Sequence, residues 1–207
     1  MTFQLHYCLI NLTMVNKLDK NFFCGFVLIN QLGKISIYIN KIMRIKIRIL
    51  EAEDVTENYV KWFLDNDVTQ FSLNQYGKFS YDGQCAYVAS CLTSTETDLY
   101  GIFDEKNHIG NIIISDLNSP HKRSEIAYVV GEKLYWGKGV ATFAISEIIN
   151  LAKEKYKLNK LFAGIAEDNV GSQKVLEKNG FIFEGRRFQH LLYGEKYHNQ
   201  LDYGLVL

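Results

Sequence analysis

Tyr135-Trp136-Gly137-Lys138-Gly139-Val140-Ala141-Thr142 is the stretch on which the reading of this chain turns. It stands between a strand-patterned run, Ser124 to Gly131, and a long helical one, Gly139 to Tyr156. In the latter Ala141, Ile145, Ile148 and Ala152 recur at intervals of three or four. Glycines at a strand-to-helix junction let backbone approach a bulky anion, and the unsatisfied N–H groups and positive end of the helix attract it. A phosphate-bearing ligand is the expectation. A tight turn is the competing explanation for two such glycines. The spacing is neither a Walker loop nor a GxGxxG fingerprint, and no acidic ribose ligand stands at the expected offset.

Working outward, Leu161 to Ala166 reads as a buried strand and Val170 to Asn179 as a short helix that Gly180 is placed to end. Two last strands, around Phe188 to Tyr193 and Leu201 to Leu207, flank a turn at Gly194-Glu195. Toward the N-terminus, Leu99 to Phe103 and Ile109 to Ser115 form a hairpin about a polar turn. Ser80 opens a helix carrying Tyr81, Cys85, Val88 and Leu92, and Asp54 caps another carrying Val55, Tyr59, Trp62 and Phe63. Arg44 to Leu50 alternates Ile45, Ile47 and Ile49 with basic residues, as a half-buried strand does.

Residues 1–42 differ from the rest. They hold four lysines against one acid, Asp19, and lack a sustained period apart from Ile35, Ile37 and Ile39, which suggest one strand. They are read as an N-terminal extension outside the catalytic domain, with residues 43–207 forming that domain. In the competing reading Ile35 to Ile39 adds an edge strand and Phe22 to Ile29 covers an apolar patch.

The whole chain has 207 residues, 47% hydrophobic and 22% charged, which fits one folded domain with an appendage. Its 23 basic and 23 acidic residues cancel, so no general pull toward nucleic acid or an anionic membrane is expected. The longest apolar run, Phe22 to Ile29, is far below the roughly 20 residues of a membrane helix, and no secretory signal is read. Cys8, Cys24, Cys85 and Cys91 show no CxxC pair and no zinc spacing, so reduced, mostly buried thiols, a cytoplasmic location and no metal are expected. Homodimerisation stays open.

The segment Asn169-Val170-Gly171-Ser172 and the run Leu176-Glu177-Lys178-Asn179-Gly180-Phe181, followed by Glu184-Gly185, stand downstream of the Trp-Gly-Lys-Gly loop. In this order and spacing the chain resembles the GNAT superfamily of acetyl-CoA-dependent N-acetyltransferases, in its ribosomal-protein and sugar-amine acetyltransferase-like branch. The resemblance covers Met43 to Leu207. It implies an α/β (α+β) fold with a mixed, mostly antiparallel sheet, helices on both faces, and fourth and fifth strands of the domain that splay apart. It places the cofactor's pantetheine arm along Val129, Val130 and Gly131. Pyrophosphate is placed on the N–H groups of Trp136, Gly137, Lys138, Gly139, Val140, Ala141 and Thr142, with Asn169 and Ser172 facing the arm. Trp136 fills a position that is often Gln or Arg, as is common in this branch.

Leu176 is the larger departure, because many relatives place there a tyrosine that protonates the leaving thiolate. Ser172, Tyr193 or water must serve instead, or no acid is used. Direct transfer needs an unprotonated amine beside the thioester, and Glu125 is the first candidate for the base that takes its proton. An ordinary exposed acid at a strand end is the alternative for Glu125. His108, His121, His190 and His198 read as surface or edge residues without metal spacing. Arg186, His190 and Tyr193 are candidates for the acceptor pocket and, with Arg187, lean toward an anionic small molecule. The expected reaction is acetyl transfer to a primary amine: a protein N-terminus, an amino sugar carried on a nucleotide, or a polyamine. The rival is a non-catalytic acyl-CoA-binding or sensing module, which Leu176 keeps open.

Overall fold

The computed structural model describes the backbone of residues 24–29 and 35–40 and all of residues 43–207. The chain divides into two compact units, Met1–Arg44 and Ile45–Leu207. In the first, β1 (Cys24–Ile29) and β2 (Ile35–Asn40) form an antiparallel two-stranded sheet of their own. The strand expected over Ile35 to Ile39 is therefore present, with a partner the sequence reading did not supply. The expected burial of Cys8 and Cys24 and the patch-covering role of Phe22 to Ile29 fall outside the described side chains.

The second unit runs β3 (Ile45–Ile49), α1 (Glu57–Leu64), α2 (Asn66–Thr69), α3 (Tyr81–Thr93), β4 (Asp98–Asp104), β5 (Asn107–Ser115) and β6 (Arg123–Val130). It continues with α4 (Val140–Glu154), β7 (Lys160–Ala166), α5 (Val170–Lys178), β8 (Ile182–Tyr193) and β9 (Lys196–Val206). Seven strands form one sheet in the order β3-β4-β5-β6-β7-β9-β8, antiparallel throughout except for the parallel pair β6–β7. This is the mixed, mostly antiparallel sheet expected.

Side-chain alternation splits the core between the two faces of the sheet. On one, Tyr59 and Trp62 of α1 and Val88 and Cys91 of α3 pack with Leu50, Leu99 and Phe103. On the other, α4 buries Val140, Ala144, Ile145, Ile148 and Ala152, the i, i+4, i+5, i+8, i+12 face of an amphipathic helix. α5 adds Leu176, which is wholly buried.

Local chemistry explains where elements begin. Thr56, rather than Asp54, caps α1 by accepting from the Tyr59 N–H, because Asp54 is held by Arg48 in two bonds of 2.5 and 2.6 Å. Ser80 caps α3 as expected, accepting from the Gly83 N–H. The buried stripe of α3 is Gln84, Val88 and Cys91, whereas Tyr81 and Leu92 are exposed, so the expected apolar stripe lies rotated on the helix. His108, expected at the surface, is a core residue of β5: its ring stacks on Phe103 and meets Trp62 edge-on, and Nε2 lies 2.7 Å from Asn111 Oδ1.

Candidate active site

Three register pairs join β6 to β7: Arg123 with Lys160, Ser124 with Leu161, and Glu125 with Phe162. Beyond Glu125 the strands part, so Glu125 stands at the last rung before the opening. On its other edge β6 stays laddered to β5 as far as Val130, and the Gly131 N–H donates to the Ile109 carbonyl at 3.0 Å. In an antiparallel ladder hydrogen-bonded and non-hydrogen-bonded residues alternate. Val129 and Gly131 therefore turn their peptide groups to β5, while Tyr128 and Val130 turn theirs into the gap. Of the three residues expected to meet the pantetheine arm, the register leaves Val130.

Gly131 has a different task. A Cβ there would stand 1.9 Å from the Trp62 ring, and the Trp62 indole N–H donates to Glu132 at 2.8 Å. The missing side chain lets the strand end lie against the aromatic core.

The Trp-Gly-Lys-Gly loop leads into α4. Gly137 and Gly139 have φ of 70° and 81°, a left-handed conformation that side chains disfavour, and a Cβ at either would meet nothing within 4 Å. They serve conformation, and the space above them is open. Gly139 is the N-cap with no side chain to satisfy the first turn. The first bond closing the helix is Phe143 N–H to Gly139 O at 2.9 Å, which leaves the N–H groups of Val140, Ala141 and Thr142 without intrahelical acceptors. By contrast, the Trp136 and Lys138 N–H groups bond Lys133 O at 3.1 Å and Tyr135 O at 3.4 Å. The anion cradle is thus narrower than expected: those two amides are spent inside the loop.

The opening continues as a cavity of about 1030 Å³. Ala127 and Val129 from one face of β6 line it together with Tyr128 and Val130 from the other, so it passes through the plane of the sheet where the ladder is open. Trp136, Gly137, Gly139, Val140, Ala141, Thr142, Asn169 and Ser172 also line it, which brings together most of the expected cofactor residues. Asn169 caps α5, its side chain accepting from the Ser172 N–H at 3.1 Å. Sequence reasoning missed Lys78, Lys174 and Lys178, which border the same cavity; Lys174 and Lys178 are one helical turn apart on α5. It also missed the opposite wall, where Tyr59, Phe63, Gln84, Tyr87 and Asn111 come from α1, α3 and β5. No motif joins these positions, and only packing assembles them.

The residues expected at the acceptor end scatter. Tyr193 lines a smaller cavity of about 380 Å³ with Phe71, Gln75 and His198. Its ring meets those of Phe71 and His198, and His198 Nδ1 lies 2.9 Å from Asp168 Oδ2. Arg186 is paired with Glu167, and Arg187 Nε donates to Asp202 at 2.7 Å. Arg186 and His190 border neither cavity, so the expected lean toward an anionic substrate loses its basis. Glu125 also lies outside both linings, on the same face of β6 as Ala127 and Val129. Burial, followed by the charges of Asp116 and Asp202, raises its carboxyl pKa against the pull of Arg187. Leu176, wholly buried under α5, offers nothing to the cavity. Among the described residues no three His, Cys, Asp or Glu cluster as a metal site, and no helix is long and apolar enough to cross a membrane.

Known proteins resemble this chain in sequence and in fold. The signature of the acetyltransferase (GNAT) domain matches residues 44–182, and the chain belongs to that family. It is 30% identical over 149 residues to "Probable N-acetyltransferase YjcK" of Bacillus subtilis (strain 168), covering 68% of this chain and 82% of that one. Over 87 residues it is 30% identical to the ribosomal-protein-serine acetyltransferase of Escherichia coli (strain K12), covering 42% of this chain and 48% of that one. Among solved structures, spermidine N-acetyltransferase from Vibrio cholerae in complex with CoA and spermine superposes with a TM-score of 0.70 at 17% identity. That likeness covers 79% of this chain and 95% of the other, and shows a shared fold. The chain is accordingly an acyltransferase enzyme.

Proposed function

We propose that this enzyme moves the acetyl group of acetyl-CoA to a primary amine on a carrier that is otherwise close to uncharged, such as a peptide N-terminus or an amino sugar. One observation carries the reading: the gap between β6 and β7 ends at a helix whose first N–H groups have no acceptors, so an extended ligand in the gap meets an anion cradle at its far end. The residues fit acetyl-CoA, which supplies an activated thioester when bound. Val140, Ala141 and Thr142 hold the pyrophosphate, Lys174 and Lys178 add countercharge, and the Val130 peptide N–H points to the arm. Glu125, at the last rung of the ladder and outside the cavity lining, takes the proton released by the amine through water.

Charge pairing supports the choice of acceptor. A polyamine calls for acidic walls, yet Asp67 and Asp168, the acids lining the large cavity, are engaged by Lys133 at 2.9 Å and by Lys196 at 3.0 Å with His198. A nucleotide-linked sugar calls for several cations beside the acceptor; Arg186 and Arg187 are paired, and apart from Lys174 and Lys178, assigned to the cofactor, Lys78 is the one lysine lining the cavity among the described residues. What remains on the α1/α3 wall is aromatic and amide surface. A panel holding a serine-started peptide, glucosamine, a nucleotide-linked amino sugar and spermidine, read by release of free CoA thiol, tests the reading. Turnover confined to spermidine or to the nucleotide sugar would overturn the acceptor class, and no thiol release with any amine would overturn the transferase reading.

A further inference from the structure

Departure of a thiolate leaves negative charge on sulfur in the gap, so a proton donor beside it speeds the step. The helical position where a hydroxyl would be looked for holds Leu176, with no exposed surface. At the junction of β6 and α5 two hydroxyl-bearing side chains line the cavity, Ser172 and Tyr128. Tyr128 is one of the even-numbered β6 residues beyond the last β7 rung whose peptide groups turn away from β5 toward the gap. Its hydroxyl reaches across to α5, 3.4 Å from the Ser172 carbonyl oxygen. That single long bond leaves the phenol free to turn toward a better acceptor in the same space.

We infer that Tyr128 is the proton donor to the leaving sulfur, a role moved from the helix to the splayed strand. This rests on the transferase reading above. The amine nitrogen forms its bond to the acetyl carbon, the C–S bond breaks with its electron pair going to sulfur, and the Tyr128 O–H proton passes to that sulfur to give the CoA thiol. The surplus proton on nitrogen leaves through Glu125 to water, and a proton from water restores the phenol. A phenol is a far stronger acid than the serine alcohol beside it, which selects Tyr128 over Ser172. Burial holds the phenol protonated, its pKa pushed up to about 12, and the same burial makes a thiolate left beside it more basic.

The test is Tyr128→Phe, which keeps the ring and removes the hydroxyl. The expected result is a fall in kcat of about 10²-fold, the lower end for general acid catalysis, with the acetyl-CoA thermal shift retained. Binding gives a readout apart from activity: the wild type should prefer CoA over desulfo-CoA by about two- to tenfold, the worth of one hydrogen bond, and Tyr128→Phe should bind the two equally. An unchanged kcat or an unchanged CoA preference in Tyr128→Phe would overturn the inference while leaving the transferase reading intact. A wild type that releases thiol with no amine would remove both. If Tyr128→Phe loses the acetyl-CoA thermal shift altogether, the wild-type comparison decides, and equal affinity for CoA and desulfo-CoA overturns the role.

Discussion

The Trp136 indole Nε1 donates to the Val130 carbonyl oxygen at 2.6 Å, fastening the start of the anion loop to the end of the splayed strand. The two halves of the ligand site, arm and cradle, are thereby held at one spacing. Trp136→Phe keeps the ring and removes this bond. A net worth of about 0.5–1.5 kcal/mol converts to acetyl-CoA binding weakened about two- to tenfold, measured by calorimetry, at little cost in melting temperature.

Gly131→Ala should act on stability first. Its Cβ would enter the Trp62 ring, and neither the strand, laddered to β5, nor the buried indole can yield cheaply. A loss of about 1–3 kcal/mol, the range for overpacked cores, is expected in a denaturant titration. An unchanged midpoint would show that Trp62 can be displaced without penalty.

Glu125→Gln separates stability from chemistry. The fold disfavours the ionised carboxylate, through burial first and then Asp116 and Asp202, so its pKa is raised. A raised carboxyl pKa costs stability once the group ionises, and that cost is absent below the ordinary carboxylate range, where both states are protonated. Glu125→Gln should therefore melt slightly higher at neutral pH and match the wild type in acid. Turnover should fall about 10²-fold at pH values where the wild-type carboxylate is ionised, and the gap to the wild type should close in acid, where that carboxyl is itself protonated. Equal turnover in both proteins across the pH range would move the base elsewhere.

The fold of the second unit was legible because its signals are local. The glycine loop, the α4 periodicity, Ser80 as a cap and the alternation in β3 each sit within a few residues. The glycine-loop side of the cavity was legible for the same reason. What escaped depends on partners distant in sequence. Asp54 looked like a cap until Arg48 claimed it, and His108 looked like a turn residue until three aromatic rings from α1 and β4 closed over it. Arg186 and Arg187 looked free until the pairing of β8 with β9, and of β9 with β7, delivered Asp202 and Glu167. Tyr128 escaped because its value lies in packing, which carries its hydroxyl across to α5, 44 residues away in sequence.

His108 gives the chain an acid-sensitive core. Burial lowers its pKa despite the bond to Asn111 and the charge of Asp54, so the folded protein favours the neutral ring. Stability from this source is full above the ordinary histidine pKa of about 6.5 and is lost as pH falls through the lowered folded value. Melting temperatures between pH 7 and pH 4.5 should fall more steeply for the wild type than for His108→Phe. Parallel slopes would assign the acid sensitivity to other groups.

A chain beginning at Met43 tests the boundary between the units. With Ile45–Leu207 compact in itself, it should stay monodisperse, keep the acetyl-CoA thermal shift and retain activity. Aggregation or loss of the shift would show that the N-terminal unit completes the catalytic one.

The three rungs between β6 and β7 make the sheet two panels joined by a short seam, β3 to β6 on one side and β7, β9 and β8 on the other. Past the seam, backbone amides of β6 point at no strand, and a sheet with open amides is an incomplete lattice. Hydrogen exchange should find Tyr128 and Val130 exchanging far faster than Val129, their neighbour in the same strand, in the free protein. A bound pantetheine arm would act as the missing strand and slow both. The chain thus leaves one line of its own hydrogen bonding for its substrate to finish, and occupancy of the site should be readable as a stiffening of the molecule's middle.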